Sequence, residues 1–358
     1  MKISTAKLQS MMSKVVKGVG NNKLIPITCL IGIEAKNKVI TITSTDGTNY
    51  LYVRSNIDSE EEFYVCIKVD QFAKLVSKTT SEFISLEIRD NSLEVRGNGK
   101  YQIEIPLDET GDIIKYPNPL AEIKESVWIG KFTQSQIGTI LNTVKTAIAS
   151  DISSYPYNNY FVGNTVLATD RDVVCSYAEK ILTMPKIINP NMMDLLSVVS
   201  ADEVDVKQYE NKIIFDTEDV TIYGVEVDDI SVFMIDLLNN LVSQNFPYSC
   251  KVNKGAMLQL LDRMSLFVGA YDDGAISLTF GKDGISVKSK QTDGEEIVEY
   301  VEPVDISEPY TLFIDINKLQ SQIKAQSLET ITVQFGDGKA IKIVADNITS
   351  VIALIVNK

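Results

Sequence analysis

The chain contains no histidine in 358 residues. That removes the commonest general base, the commonest metal ligand and every Ser-His or Cys-His nucleophile pair. Cysteine is scarce. Cys29, Cys66, Cys175 and Cys250 are scattered, and no two share C-x-x-C spacing. Neither a zinc site nor a disulfide frame is indicated, and all four read as small apolar residues in or near strands. No apolar run approaches the roughly 18 residues of a membrane span. The opening MKISTAKLQS lacks the apolar core of a signal peptide, so a cytoplasmic location is expected.

Phosphate-binding loops are missing too. Gly18–Gly20 ends a helical pattern instead of opening one after a strand, and reads as a helix C-cap. Gly336-Asp337-Gly338-Lys339 is turn chemistry without Walker spacing. Ser4-x-x-Lys7 and Ser321-x-x-Lys324 have no S-D-N or K-T-G partners. Asp170 and Asp172 form a D-x-D, but Arg171 between them points to a satisfied surface bend. No catalytic site, metal or cofactor is expected.

What is present is repetition. Thr-Asp occurs at Thr45-Asp46, Thr169-Asp170 and Thr292-Asp293, spaced 124 and 123 residues apart. Asp and Gly favour turns, so the pair reads as a structural bend. Each third opens on a helical apolar pattern, over 4–19, 133–150 and 253–268, with Ser4, Thr133 and Asn253 as N-caps. Hairpin tips follow at 35–39, 162–166 and 281–285. A second helical pattern covers 67–79, 189–200 and 314–326, and further strands close each copy. The expected fold is α+β, in three repeats of helix, strands, helix, strands. Pro-marked joins at 114–122 and 243–249 set boundaries at 1–123, 124–245 and 246–358.

The net charge of −14 argues against a nucleic-acid binder, but its distribution argues for one. Six helical segments with their entry residues hold 14 Lys and Arg, only 4 Asp and no Glu. Glu is as good a helix former as Lys, so propensity does not explain its absence. Acids are kept off one surface, as a polyanion lying there requires. Lys7, Lys14, Lys17, Lys23, Lys74, Lys78, Lys145, Lys254 and Arg263 are the candidate DNA-facing cations. Lysine touches phosphate without reading bases, so loosely held duplex is the expected ligand.

These features resemble the bacterial sliding clamp, the β subunit of DNA polymerase III. The resemblance rests on MKI-x₅-L, on LIPITCLIGIEAKNKVITITSTDG (24–47), LATDRD (167–172), NFPYS (245–249) and the apolar C-terminal strand. It implies a head-to-tail ring homodimer with helices lining a hole around duplex DNA. It also implies a DNA polymerase and an ATP-dependent clamp loader as partners, and no membrane. Partner peptides would dock near Thr169, Val174, Pro247, Leu354, Ile355 and Val356. The dimer contact would join Tyr101, Ile103 and Ile105 to Leu266 and Phe267. The family's Gly-His-Arg after Thr-Asp is Arg171-Asp172-Val173 here, and its Met-Pro-Met-Arg-Leu end is Leu-Ile-Val-Asn-Lys. Such drift fits a clamp of a phage or mobile element. The competing readings are an acidic β-rich repeat protein that does not act on DNA, and an enzyme with a carboxylate site.

Overall fold

A computed structural model describes residues 1–20, 22, 24–226, 233–268, 274–289, 295–298 and 306–355. The first third runs β1 (Lys2–Ser4), α1 (Thr5–Val15), β2 (Leu30–Lys36), β3 (Val39–Thr45), β4 (Asn49–Asn56), β5 (Phe63–Lys68), α2 (Val69–Lys78), β6 (Phe83–Arg89), β7 (Ser92–Arg96) and β8 (Lys100–Glu104). A short helix, α3 (Leu120–Glu125), precedes the second third. That third runs β9 (Val127–Thr133), α4 (Gln134–Asn142), β10 (Tyr160–Val162), β11 (Val166–Thr169), β12 (Val173–Tyr177), β13 (Lys186–Ile188), α5 (Pro190–Leu195), β14 (Glu203–Tyr209), β15 (Lys212–Asp216) and β16 (Val220–Val225). Helix α6 (Ile235–Ser243) precedes the last third. It runs β17 (Tyr248–Asn253), α7 (Lys254–Ser265), β18 (Ala275–Gly281), β19 (Gly284–Ser289), β20 (Glu295–Val298), β21 (Tyr310–Asp315), α8 (Ile316–Ala325), β22 (Thr330–Phe335), β23 (Ala340–Ala345) and β24 (Ile348–Ala353). Each third therefore reads β-α-β-β-β-β-α-β-β-β.

Individual hydrogen bonds repeat along with the order of elements. The amide entering each first helix donates to the chain just before β6, β14 or β22: Thr5 to Glu82 (3.0 Å), Gln134 to Asp202 (3.0 Å) and Lys254 to Glu329 (2.7 Å). The last strands close alike, with Ile105 donating to Asn91, Glu226 to Asn211 and Leu354 to Lys339. The Thr-Asp bends match atom for atom in the first two copies. Asp46 Oδ1 accepts from the amides of Thr48 and Asn49, and Asp170 Oδ1 from those of Asp172 and Val173. Thr45 and Thr169 hydroxyls each accept the amide two residues on. Side chain and backbone thus share one tight turn, which explains why this pair recurs. Thr292-Asp293 lies outside the described residues.

Of the expected N-caps, Asn253 accepts from the Ala256 amide at 2.9 Å. Thr133 and Gln136 exchange hydrogen bonds as a capping box. Ser4 makes no side-chain cap. Gly18 is not a left-handed cap. It is buried, and a methyl there would lie 2.5 Å from Ser44 Oγ and 2.9 Å from Leu51 Cβ. It permits close approach of the chain to β3 and β4.

The strands form four antiparallel sheets. Two have eight strands, ordered β5-β2-β3-β4-β16-β15-β14-β9 and β13-β10-β11-β12-β24-β23-β22-β17. Two have four, β1-β6-β7-β8 and β20-β19-β18-β21. Each large sheet joins the strand after a Thr-Asp bend to the last strand of the next third, through β4–β16 and β12–β24. The compact units consequently cut across the thirds. One holds residues 1–137 and 191–226, the other 138–190 and 227–358. Within the first unit, α1 buries Leu8, Met11, Met12 and Val15, while α2 buries Phe72 and Val76. In the second, α7 buries Met257, Leu260, Leu261 and Met264, and α8 buries Leu319 and Ile323. Among the described residues no helix is long and apolar enough to cross a membrane.

Two substitutions test these local rules. Asp46→Ala strips an acceptor from two amides and should lower unfolding free energy by about 1–2 kcal/mol in urea titration. Gly18→Ala should cost about 1–3 kcal/mol by overpacking against Ser44 and Leu51.

Candidate nucleic-acid interface and peptide cleft

Some of the helical cations are exposed, and others reach acceptors within the chain. Lys17, on the turn after α1, and Lys74 and Lys78 on α2 are exposed. Lys145 and Arg263 are also exposed. Lys7, Lys14 and Lys254, candidates to face DNA, are bonded within the chain. Lys7 Nζ donates to the Asn56 carbonyl and Lys254 Nζ to the Gln326 carbonyl. Lys14 Nζ is 2.8 Å from Asp219 Oδ2 and 3.1 Å from Ser200 Oγ. The long lysine stem lets each ammonium reach a backbone or carboxylate acceptor that lies far along the chain. Lys23 lies outside the described residues.

Asp219 sits at the tip between β15 and β16, beside a second network. Asp216 contacts Lys207 at 2.8 Å and Arg54 at 3.4 Å, and accepts from the Thr221 hydroxyl at 2.7 Å. Burial alone would raise the Asp216 pKa. The hydrogen bonds from Lys207 and Thr221 and the nearby positive charges outweigh it, so the pKa is lowered. Asp219 is lowered likewise, against its own desolvation, chiefly by Lys14 and Thr217.

Two of the sheet ends are the strands that match those joined at the β4–β16 and β12–β24 junctions. Among the described residues β8 pairs only with β7, and β20 only with β19. The side chains expected at a dimer contact do not all face outward. Ile103 and Ile105 are 6% and 3% exposed and belong to the core, with Ile103 paired to the buried Leu93 of β7. Tyr101 is 45% exposed, and Leu266 and Phe267, just past α7, are 80% and 50% exposed. What β8 offers an incoming strand is backbone. The Ile105–Asn91 bond puts the odd-numbered amides toward β7, which leaves the Gln102 amide on the open side.

The expected peptide residues lie in the second unit and are only partly brought together. Thr169 and Val174 face each other across β11–β12, and Val174 pairs with Val351 on β24. The Ala353 amide donates to the Asp172 carbonyl at 2.7 Å, which carries Leu354 past the bend. Leu354 and Ile355 are half-buried, and Val356 lies outside the described residues. Pro247 stands apart, at the entry to β17, with β24, β23 and β22 between it and β12. Thr169 and Val174 are buried, not open to solvent. Helix α6 covers this face. Val174 clusters with Phe161, Leu167, Ile187, Phe233 and Leu238, and Tyr157, Ile235, Leu241 and Val242 pack at its margin.

Residues 1–117 match the family model for the DNA polymerase III beta subunit, N-terminal domain. No curated protein matches in sequence. Solved structures match over the whole chain. The DNA polymerase III beta subunit of Borrelia burgdorferi superposes with a TM-score of 0.85 at 16% identity, covering 100% of this chain and 99% of that one. The Streptococcus pneumoniae beta chain gives 0.84 at 16%, covering 99% of each chain. The Thermotoga maritima subunit gives 0.82 at 17%, covering 100% and 99%. This chain has the bacterial sliding-clamp fold.

Within that clamp fold, several residues at the cleft escaped the sequence reading. Helix α6, which ends where the join at 243–249 begins, was not expected at all. Its signal was present, in Ile235, Leu238, Leu241 and Val242 at helical spacing. Tyr157, Phe161 and Phe233 carry no local signal, since only the fold makes them neighbours. Asp170 and Asp172 prove to be structural. Asp170 closes its own turn, and Asp172 binds Lys318 of α8.

The Asp216 network sets a pH dependence for the clamp fold. A folded pKa below the ordinary 3.8 gives stability that is present above that value and lost as pH falls through the folded one. Asp216→Asn should therefore cost about 1–2 kcal/mol in denaturant melts at neutral pH, and the penalty should shrink toward zero in strong acid.

Proposed function

We propose that this protein is a DNA polymerase processivity factor. It is a sliding clamp of three repeats per chain, closed as a head-to-tail homodimer around duplex DNA in the cytoplasm. It has no catalytic site, binds polymerase through a peptide cleft and is opened by an ATP-dependent loader. The observation that carries this reading is the pairing rule between thirds. The strand after the bend joins the last strand of another third at β4–β16 and β12–β24. β20 and β8 occupy the same two positions and, among the described residues, have no such neighbour. An open edge of this kind calls for a partner, and β20 of one chain against β8 of another extends the rule to a third junction. The contact is heterologous, so it must close as a ring or run on as a filament, and two chains of three repeats close it.

The DNA contact follows from Lys17, Lys74, Lys78, Lys145 and Arg263, on helices and helix ends. Neutralising so few phosphates on a chain of net charge −14 gives weak, salt-sensitive binding without base reading. Long residence must then be topological.

Four outcomes test this. In solution the protein should have a mass of about 80 kDa by light scattering, twice the 39.7 kDa chain. Gln102→Pro should give folded monomers, because it removes an amide on the open side of β8 and spares the β7 ladder. Protein loaded on a nicked circle by an ATP-driven loader should survive a salt wash and leave once the circle is cut. Equal retention on unblocked linear duplex would defeat the clamp reading. Asp219→Asn should strengthen weak duplex binding in low-salt anisotropy, since it releases Lys14.

A further inference from the structure

The second Thr-Asp bend holds a conformation that its residue does not favour. Arg171 has φ +83, in the left-handed region, while the matching position in the first bend is Gly47 at φ +100. Both bends make the same turn hydrogen bonds, so the turn demands positive φ and glycine satisfies it without strain. A non-glycine residue held there points to a task for its side chain.

The side chain's surroundings indicate the task. The Arg171 guanidinium lies over the Tyr157 ring, 5.6 Å from its centroid. Tyr157 in turn meets Phe233 edge-on at 5.8 Å, at the margin of the Val174 cluster. The cation therefore caps the solvent edge of the apolar cleft. It is exposed, and among the described residues it has no ion-pair partner. The two flanking carboxylates are committed elsewhere. Asp170 Oδ1 accepts two backbone amides and Asp172 is bonded to Lys318. The Lys318 ammonium is thereby held by Asp172 and Asp170, which leaves Arg171 as the uncommitted cation of the bend.

We propose that Arg171 is a specificity residue of the cleft, which recognises a carboxylate on the partner peptide beside its apolar anchors. This rests on the peptide-cleft reading above. The planar guanidinium, pinned on one face by Tyr157, presents its N–H edge to a carboxylate in a fork that lysine cannot reproduce. The apolar anchors of the peptide would lie along Leu241 and Val242, so charge and apolar contact are read together.

The test uses fluorescence anisotropy with labelled peptides of the form Gln-Ala-Asp-Leu-Phe, blocked at both ends. The same peptide with Asn in place of Asp is the neutral control. A third form keeps Asn but has a free C-terminal carboxylate. The unmodified protein should bind the Asp form about tenfold more tightly than the neutral one. That preference should fall away in about 0.5 M salt. Arg171→Gly should bind the neutral peptide as before, lose the preference, and melt no lower than the parent, since glycine accepts this φ. A gain seen only with the free C-terminus would identify a chain end as the carboxylate source. An unchanged Asp preference in Arg171→Gly, or equal binding of all three forms by the parent, overturns the proposal. Failure of every peptide to bind the parent protein defeats the cleft reading itself, and this inference with it.

Discussion

Antiparallel pairing between strands of different thirds is the constraint on which the remaining structure depends. A four-stranded half-sheet leaves an edge of unpaired amides and carbonyls, which cannot face water over a long run without inviting association. Joining β4 to β16 and β12 to β24 removes two pairs of such edges and produces two eight-stranded sheets. It also decides where the compact units lie, because each is assembled around a junction and not around a repeat. The repeat is a unit of sequence, and the junction is the unit of packing.

The same construction separates two chemistries. Helices α1, α2, α7 and α8 bury one apolar stripe each, and α2 and α8 turn exposed lysines outward. Sheets carry the acids, as at Glu203 against Lys131 and at Asp216 against Lys207. The separation is not complete. Asp219 reaches Lys14 from a strand tip, and this fixes one helical lysine in place. An ion pair of this exposure contributes little stability, and its consequence is a smaller set of free cations.

Junctions are also where the two large sheets differ. At the first, Gly32 leaves room for the Tyr116 ring, whose Cδ2 would lie 2.8 Å from a methyl there. The hydroxyls of Tyr52, Tyr64 and Tyr116 hold the chain between the thirds by backbone carbonyls at Pro117, Ile114 and Leu30. Burial pushes the Tyr64 hydroxyl up to about 12, so it stays a neutral donor. At the second, helix α6 takes that place over an apolar cluster, with Arg171 on the Tyr157 ring at its margin. One repeated scaffold thus carries a polar tether at one junction and an apolar helix contact at the other.

The amino-acid sequence by itself determined the element order, the Thr-Asp turn and the shortage of acids on the helices. These depend on short-range spacing, on turn chemistry and on composition, which any chain displays locally. Both linker helices escaped it, since each is short and falls between the repeats. It also placed Ile103 and Ile105 at a contact. Only their burial in the folded chain shows that they belong to the core. The cleft was half legible. The bend and the last strand could be named in advance, but Tyr157, Phe161 and Phe233 meet Val174 only because sheet and helix bring together residues up to 76 positions apart. Whether a lysine is free or tethered was likewise decided by tertiary structure, because its partner may lie about 200 residues away and the sequence gives no distance between them.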